Sequence, residues 1–368
     1  VRQKKRKSVS VMRRVSKHLG ANGGTSPDRS KTSSKKFNTQ TSDISALDPR
    51  RDHNLSIMLT RFGRQSCANI AATVYNFEYE KLGNTASTAI SQYIPEKAEI
   101  RSVDDHVKLL EVQNASSETK KERRDIIAGM SRPEQYVYYL GRVPSLKKTL
   151  VVMNCCMMCP EIRQRSQKGT EELIRACQEV RASARLKFIF LKIMQLMTSV
   201  NQKGLTESVD GGFRLSTINK LATVKANSGD TLEQYFIARM FQVVPEAFDL
   251  VHDMPSVTEA RNVSLKQLSS DVAHLKEGMD LARELLMSNN KDGPIEEEGF
   301  DHEERTKTIA RMSEELTLAH SKSSEAMVDA ERDFAELCTY FGENPKDTSP
   351  QQILGILRDF TSRINFCV

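Results

Sequence analysis

The residues with the clearest potential for chemistry are three cysteines within residues 155–159, which read CCMMC. Cys156 and Cys159 have the CxxC spacing that zinc and redox sites use. A tetrahedral zinc site needs two more ligands, and neither a second CxxC nor a His-x-His pair lies nearby in the sequence. Cysteine also packs well as a small buried hydrophobic residue. We therefore interpret this segment as part of a core, with metal binding as the alternative.

Other patterns that carry catalysis or bind nucleotides are missing from the sequence. His53 and His252 stand apart from the serine, cysteine or carboxylate partners that nucleophilic catalysis requires. Neither GxxxxGK[ST] nor GxGxxG occurs. The sequence therefore predicts no catalytic residue, no cofactor, no metal site and no enzyme. A cysteine enzyme using Cys155 or Cys156 is the weakest alternative.

The positive charge is concentrated at the N-terminus. Residues 1–52 contain 14 Lys and Arg against 4 Asp, a balance of +10, and since the whole chain carries +6 the rest carries −4. Residues 1–46 are rich in Ser, Thr, Lys and Gly and poor in apolar side chains. Such a segment cannot bury enough surface to offset its ordering entropy. We expect a flexible basic arm that can hold an acidic surface, and, because the chain begins at Val1, a segment that precedes it.

Membrane insertion and secretion are not supported by the sequence. No run of about 18 apolar residues occurs, and the basic N-terminus lacks the apolar stretch of a signal peptide. Seven cysteines, an odd number, favour free thiols in a reducing compartment. We expect a cytoplasmic protein.

The rest of the chain has apolar residues at helical spacing and few strand signals. Prolines 95, 133, 144 and 160 are expected to separate short and medium helices. A long helix is predicted over about residues 170–200, where an apolar stripe is formed by Leu186, Ile189, Ile193 and Met197.

Heptad spacing marks the region beyond Pro255 and predicts two long helices that fold back on each other. The first seam contains Leu265, Leu268, Val272, Leu275, Met279, Ala282 and Leu286. The second seam contains Ile309, Met312, Leu316, Ala319, Ala326 and Leu337, with Ser323 and Ala330 as weak positions. An elongated all-α fold is the prediction.

Three segments, in this order, have a more specific meaning. Residues 47–59 read LDPRRDHNLSIML, residues 212–221 read GFRLSTINKL and residues 340–345 read YFGENP. Together they resemble the formin homology 2 domain. The resemblance covers roughly residues 47–366 and implies an elongated all-α fold with a knob over about residues 47–165. It places a post and coiled-coil-like helices over about residues 166–366.

Formin homology 2 domains bind the barbed end of actin filaments, nucleate filaments and ride on the growing end as dimers. In the family's Asn-Leu-Ser-Ile segment the isoleucine is an apolar contact to actin, and the matching residue is Ile57. A family lysine that contacts actin matches Lys225, within residues 220–225 that read KLATVK. Without the resemblance, Ile57 would more readily be a core residue and Lys225 part of a solvated face.

Two departures from the family concern the dimer. The segment that helps to receive the partner's lasso reads TSVNQKG over residues 198–204, where the family has Gly-Asn-Tyr-Met-Asn-x-Gly, and the chain has no tryptophan to anchor a lasso. We expect a homodimer in the intact protein, weakened if the lasso is missing. The rival function is a coiled-coil scaffold whose basic arm binds microtubules, lipid or nucleic acid.

Overall fold

A computed structural model describes residues 45–115, 122–200, 214–225, 229–289, 294–297 and 299–367. In this part of the chain the secondary structure is helical, apart from one antiparallel bridge between Lys225 and Thr231, so the all-α prediction is confirmed. Residues 1–44 of the predicted arm lie outside the described residues. The helices are α1 (Pro49–Leu59), α2 (Cys67–Tyr75), α3 (Tyr79–Gln92), α4 (Lys97–Ala115), α5 (Arg123–Ala128), α6 (Arg132–Gly141), α7 (Leu146–Ala182), α8 (Ala184–Val200), α9 (Thr217–Leu221), α10 (Leu232–Phe241), α11 (Leu250–Asp253), α12 (Val257–Ala260), α13 (Leu265–Asn289), α14 (His302–Tyr340) and α15 (Pro350–Cys367).

The three longest of these helices, α7, α13 and α14, pack against one another. Arg283 of α13 donates to Thr317 of α14 at 3.2 Å, and Asn289 donates to Thr306 at 2.7 Å, so these helices run antiparallel. This confirms the helix pair predicted from the heptads. Because α7 completes a three-helix bundle, the pair is not free-standing.

The helix boundaries around α7 differ from the sequence prediction. α7 continues through Pro160, so this proline does not separate two helices. Its ring is exposed while Cys159 and Ile162 are buried on the packed side. That packing offsets the roughly 3 kcal/mol that an interior proline costs a helix. The predicted helix over residues 170–200 is broken at Ser183, whose hydroxyl accepts from the Leu186 N–H at 3.0 Å and begins α8.

The first hydrophobic core lies between α1–α6 and the adjoining parts of the three-helix bundle. Arg305 of α14 is 1% exposed within it, and burial lowers its pKa to about 10. Its guanidinium lies 4.5 Å from the Tyr75 ring and 5.0 Å from the Phe77 ring, and it donates to the Tyr75 carbonyl at 2.6 Å. Cation–π and hydrogen-bond contacts therefore join α2 to α14.

The second hydrophobic core is formed by α8–α12, α15 and the C-terminal parts of α7 and α14. Along α7, buried residues of the first core extend to Ile162 and those of the second begin at Leu173. The predicted boundary between residues 165 and 166 falls inside α7 and between these two cores.

Candidate functional site

Ile57 lies on the solvent-facing side of α1. Asp48 caps this helix by accepting from the Arg50 N–H at 2.9 Å, and Pro49 fits the first turn because its missing N–H would have no helical partner. The helix buries Leu55, Met58 and Leu59, but leaves Ile57 56% exposed. Thus Ile57 is not a core residue of this fold, and its side chain is available to a partner.

The start of α1 is fixed by an ion pair. Arg51 pairs with Glu99 of α4 at 2.7 Å and donates to the Ile94 carbonyl at 3.0 Å. Both partners are partly buried, which limits solvent screening of the pair. α1 is therefore held against α4, and Ile57 projects from a fixed helix.

A second anchor fixes the chain just before α1. The Glu134 carboxylate on α6 accepts from the Ala46 N–H at 2.9 Å and from the Ser131 N–H at 3.0 Å, and it lies 3.1 Å from His106 Nδ1. Burial alone would raise the pKa of Glu134, but these hydrogen bonds and His106 hold it below its usual value. Nearby Asp52 has a raised pKa because of burial and the Glu134 charge. Ser45 and Ala46, which the sequence analysis placed in the arm, belong to the folded unit.

Lys225 follows α9 and is exposed. Its backbone forms an antiparallel bridge with Thr231, and the Leu232 N–H donates to the neighbouring Val224 carbonyl at 2.7 Å. Thr231 caps α10 in a reciprocal box with Gln234, at 3.1 and 2.9 Å. Among the described residues Lys225 has no ion-pair partner, so its charge is open to an acidic surface.

The two predicted contact residues belong to different parts of the fold. α1 packs in the first core, whereas α9, which precedes Lys225, buries Ile218 and Leu221 in the second. Ile57 and Lys225 therefore do not form one cluster. They present an apolar contact and a cationic contact from separate positions.

A groove of about 530 Å³ opens beside α8 and the C-terminal end of α14. The groove is lined both by α8 and by the start of the YFGENP segment, residues 340–345. Sequence spacing could not predict that these two segments lie close together. Residues that line the groove are Phe190, Met194, Arg214, Leu215, Thr339, Tyr340, Phe341 and Gly342. Aromatic surface next to an arginine and a hydroxyl suits an amphipathic segment of a partner.

Comparison with known protein families identifies the family of the chain that carries these surfaces. The family described as Formin Homology 2 Domain matches residues 2–365. The chain belongs to this family. The match spans both cores and the segments that carry Ile57 and Lys225, so the resemblance seen in the sequence is confirmed.

Several curated formins are similar to this formin homology 2 chain. Formin-like protein 20 of Arabidopsis thaliana is 25% identical over 90% of the chain, and Formin-A of Dictyostelium discoideum 24% over 87%. Disheveled-associated activator of morphogenesis 2 of Gallus gallus is 23% identical over 86%. The chain spans only 19%, 25% and 28% of these three proteins, respectively.

The cysteines of this formin homology 2 domain lie in its core. Cys155, Cys156 and Cys159 are buried, and burial raises the pKa of all three thiols, to about 12 for Cys155 and about 11 for Cys159. The core-packing interpretation is confirmed. Sequence analysis missed that His274 Nε2 lies 3.4 Å from Cys155 Sγ. Within the described ranges, no three His, Cys, Asp or Glu side chains are grouped to hold a metal ion.

The two histidines considered from the sequence, His53 and His252, are on the surface. His53 is exposed on α1, and His252 is exposed beside Asp249, its hydrogen-bond partner. None of the helices that the structure describes is both long and apolar enough to cross a bilayer.

Proposed function

We propose that this chain binds actin monomers and the barbed end of actin filaments, nucleates filaments and controls their elongation without being an enzyme. The match of the formin homology 2 family to residues 2–365 carries the proposal. The exposed Ile57 on a fixed helix supports it, as does an exposed Lys225 without an ion-pair partner among the described residues. The proposed partner places the activity in the cytoplasm, at the actin cytoskeleton.

The proposed mechanism is geometric. Ile57 contributes a buried apolar contact to one actin subunit, and Lys225 contributes a charge contact to another, because actin is acidic. Two copies of the domain surround the filament end, so several subunits are held together. Holding two or three monomers in place lowers the entropic barrier to nucleation.

The dimer is proposed to use the groove beside α8. Its aromatic lining can seat an apolar segment of a second copy, and Arg214 and Thr339 supply polar partners. Residues 198–204 differ from the family segment that helps to receive a partner; Thr198 and Ser199 lie at the end of α8, and residues 201–204 lie outside the described residues. The proposed pairing is therefore weaker than in a typical formin homology 2 domain.

The alternative scaffold function would place activity in the basic arm, at residues 1–46. Neither the family match nor the relatives' names favour it.

The test compares the whole chain with a chain that begins at Ser45, which retains the Ala46 anchor, by imaging single filaments as their barbed ends elongate. We expect both to alter elongation at barbed ends, with a weaker and less salt-sensitive effect for the shortened chain. Loss of all actin activity with the arm, or no activity of either chain, would contradict the proposal.

A further inference from the structure

The segment that contains Lys225 and α10 exposes several large apolar side chains. Of the fourteen large apolar side chains exposed in the described part of the chain, five lie between residues 224 and 251. They are Val224, Tyr235, Phe241, Val243 and Val251. Since singly exposed apolar side chains are normal on a protein surface, only those that the fold brings together can indicate a binding surface.

Tyr235 and Arg239 lie on the solvent-facing side of α10. They are one turn apart on α10 and both are exposed, Tyr235 to 54%. The opposite side of α10 is fixed, because Phe236 and Ile237 are buried in the second core and Glu233 pairs with Arg363 of α15 at 2.9 Å. The exposed face of α10 therefore cannot turn inward.

This face is continuous with the backbone that carries Lys225. Thr231, which caps α10, lies one turn before Tyr235, and its carbonyl oxygen accepts a hydrogen bond from the Tyr235 N–H at 3.0 Å. The same Thr231 forms the antiparallel bridge with Lys225. Val224, 49% exposed, is held by the hydrogen bond to Leu232. The bridge thus brings the cation Lys225 next to the helix that exposes Tyr235 and Arg239.

We infer that Lys225, Tyr235 and Arg239 form one docking surface for the actin subunit that Lys225 contacts, with Tyr235 as its apolar centre. The inference rests on the proposed function. Arg239 has no ion-pair partner within the described ranges, so both cations are open to the acidic surface of actin. Tyr and Arg are also the residue types that dominate interface energetics when they are desolvated at the centre of a contact.

The test measures the affinity of each variant for barbed ends alongside its thermal unfolding. Tyr235→Ala should weaken binding about tenfold or more, whereas Tyr235→Phe should keep most of it, because the ring supplies the contact. Arg239→Ala should weaken binding and reduce its dependence on salt, because one charge contact is lost. Since both side chains are exposed, melting should change little.

Leu318→Ala and Arg175→Ala are matched controls, because both residues are exposed and lie on other helices, α14 and α7. They should leave barbed-end binding unchanged. If the parent binds barbed ends and Tyr235→Ala and Arg239→Ala bind equally well, this inference is wrong while the proposed function stands. If the parent does not bind, the proposed function itself fails. A change confined to self-association in sedimentation would assign the surface to a second copy of the chain and overturn the inference.

Discussion

Ile57 shows what local sequence can and cannot predict about a residue. The run Leu55, Ile57, Met58 and Leu59 is apolar almost throughout, so spacing alone does not reveal which side chain faces solvent. The packing of α1 on α4 and α6 decides which side chain faces solvent. It buries Leu55, Met58 and Leu59 and leaves Ile57 exposed. Only the family resemblance could single out this position beforehand, and its role in binding actin remains a proposal.

The Glu134 anchor leads to a prediction at the same scale. Glu134→Gln should lower the free energy of unfolding by about 1–3 kcal/mol near neutral pH, because the charged hydrogen-bond acceptor for Ala46 and Ser131 is lost. The folded-state pKa is lowered, so its contribution is complete above the unfolded-state pKa and is lost as pH falls through the folded-state value.

Chemical denaturation of parent and variant at several pH values measures this contribution as a difference. Asp52, with a raised pKa, acts in the opposite direction; the part of its shift that comes from burial is common to both proteins and cancels, whereas the part that comes from the Glu134 charge is removed in Glu134→Gln. The stability gap should close on acidification. A gap that is constant down to pH values below the ordinary range of glutamate pKa would contradict the assignment.

Tyr235 and Arg239 escaped the sequence analysis for a physical reason. The sequence of α10, LEQYFIARMF, has large apolar residues on more than one side, so no clean polar face marks its exposed side. Lys225 was found only because its surrounding residues match a family segment. Its neighbours on the surface come from a helix that the β-bridge places beside it.

At the scale of elements, the three-helix bundle was only partly predictable. The heptads of α13 and α14 use large apolar side chains and give a clear 3.5-residue period. The buried side of α7 uses many small or polar residues, which obscure its period. They are Thr149, Cys155, Cys156, Cys159, Ser166 and Thr170. Pro160 adds a false boundary, so the third helix could be recognised only from the packing.

The close approach of α7 and α13 at Gly278 yields a prediction. A Cβ at Gly278 would lie 2.7 Å from Cys155 Cβ and 2.8 Å from its Sγ, whereas a Cβ at Gly355 of α15 would have no atom within 4 Å. Gly278→Ala should cost about 1–3 kcal/mol of stability through overpacking. Gly355→Ala should instead add up to about 1 kcal/mol, because alanine favours a helix.

Denaturant unfolding of the two variants, compared with the parent, measures both effects. The opposite signs distinguish local packing from helix propensity, which would favour alanine at both sites. Equal stabilisation by the two substitutions would show that α7 and α13 do not approach each other so closely.

At the scale of the whole molecule, the groove beside α8 bears on how strongly the chain associates with a second copy. The aromatic lining is present, but Thr198 and Ser199 stand where the family has residues that help to receive a partner. We predict a chain that is mainly monomeric or weakly dimeric in solution. Light scattering over a concentration series measures it, and a stable dimer at sub-micromolar concentration would contradict the prediction.

The central claim is that the exposed side of α1 binds actin, and Ile57→Ala tests it most directly. Leu109→Ala is the matched control, because Leu109 is 55% exposed on α4, a helix of the same core. Circular dichroism melts of both variants should stay close to the parent, since neither side chain is buried.

The decisive measurement is the affinity of each protein for barbed ends, obtained from elongation of labelled filaments. Ile57→Ala should weaken binding by about one to three decades, on the scale of a hot-spot truncation, while Leu109→Ala keeps the parental affinity. Full binding by Ile57→Ala, with an unchanged melt and an active parent, would contradict the account.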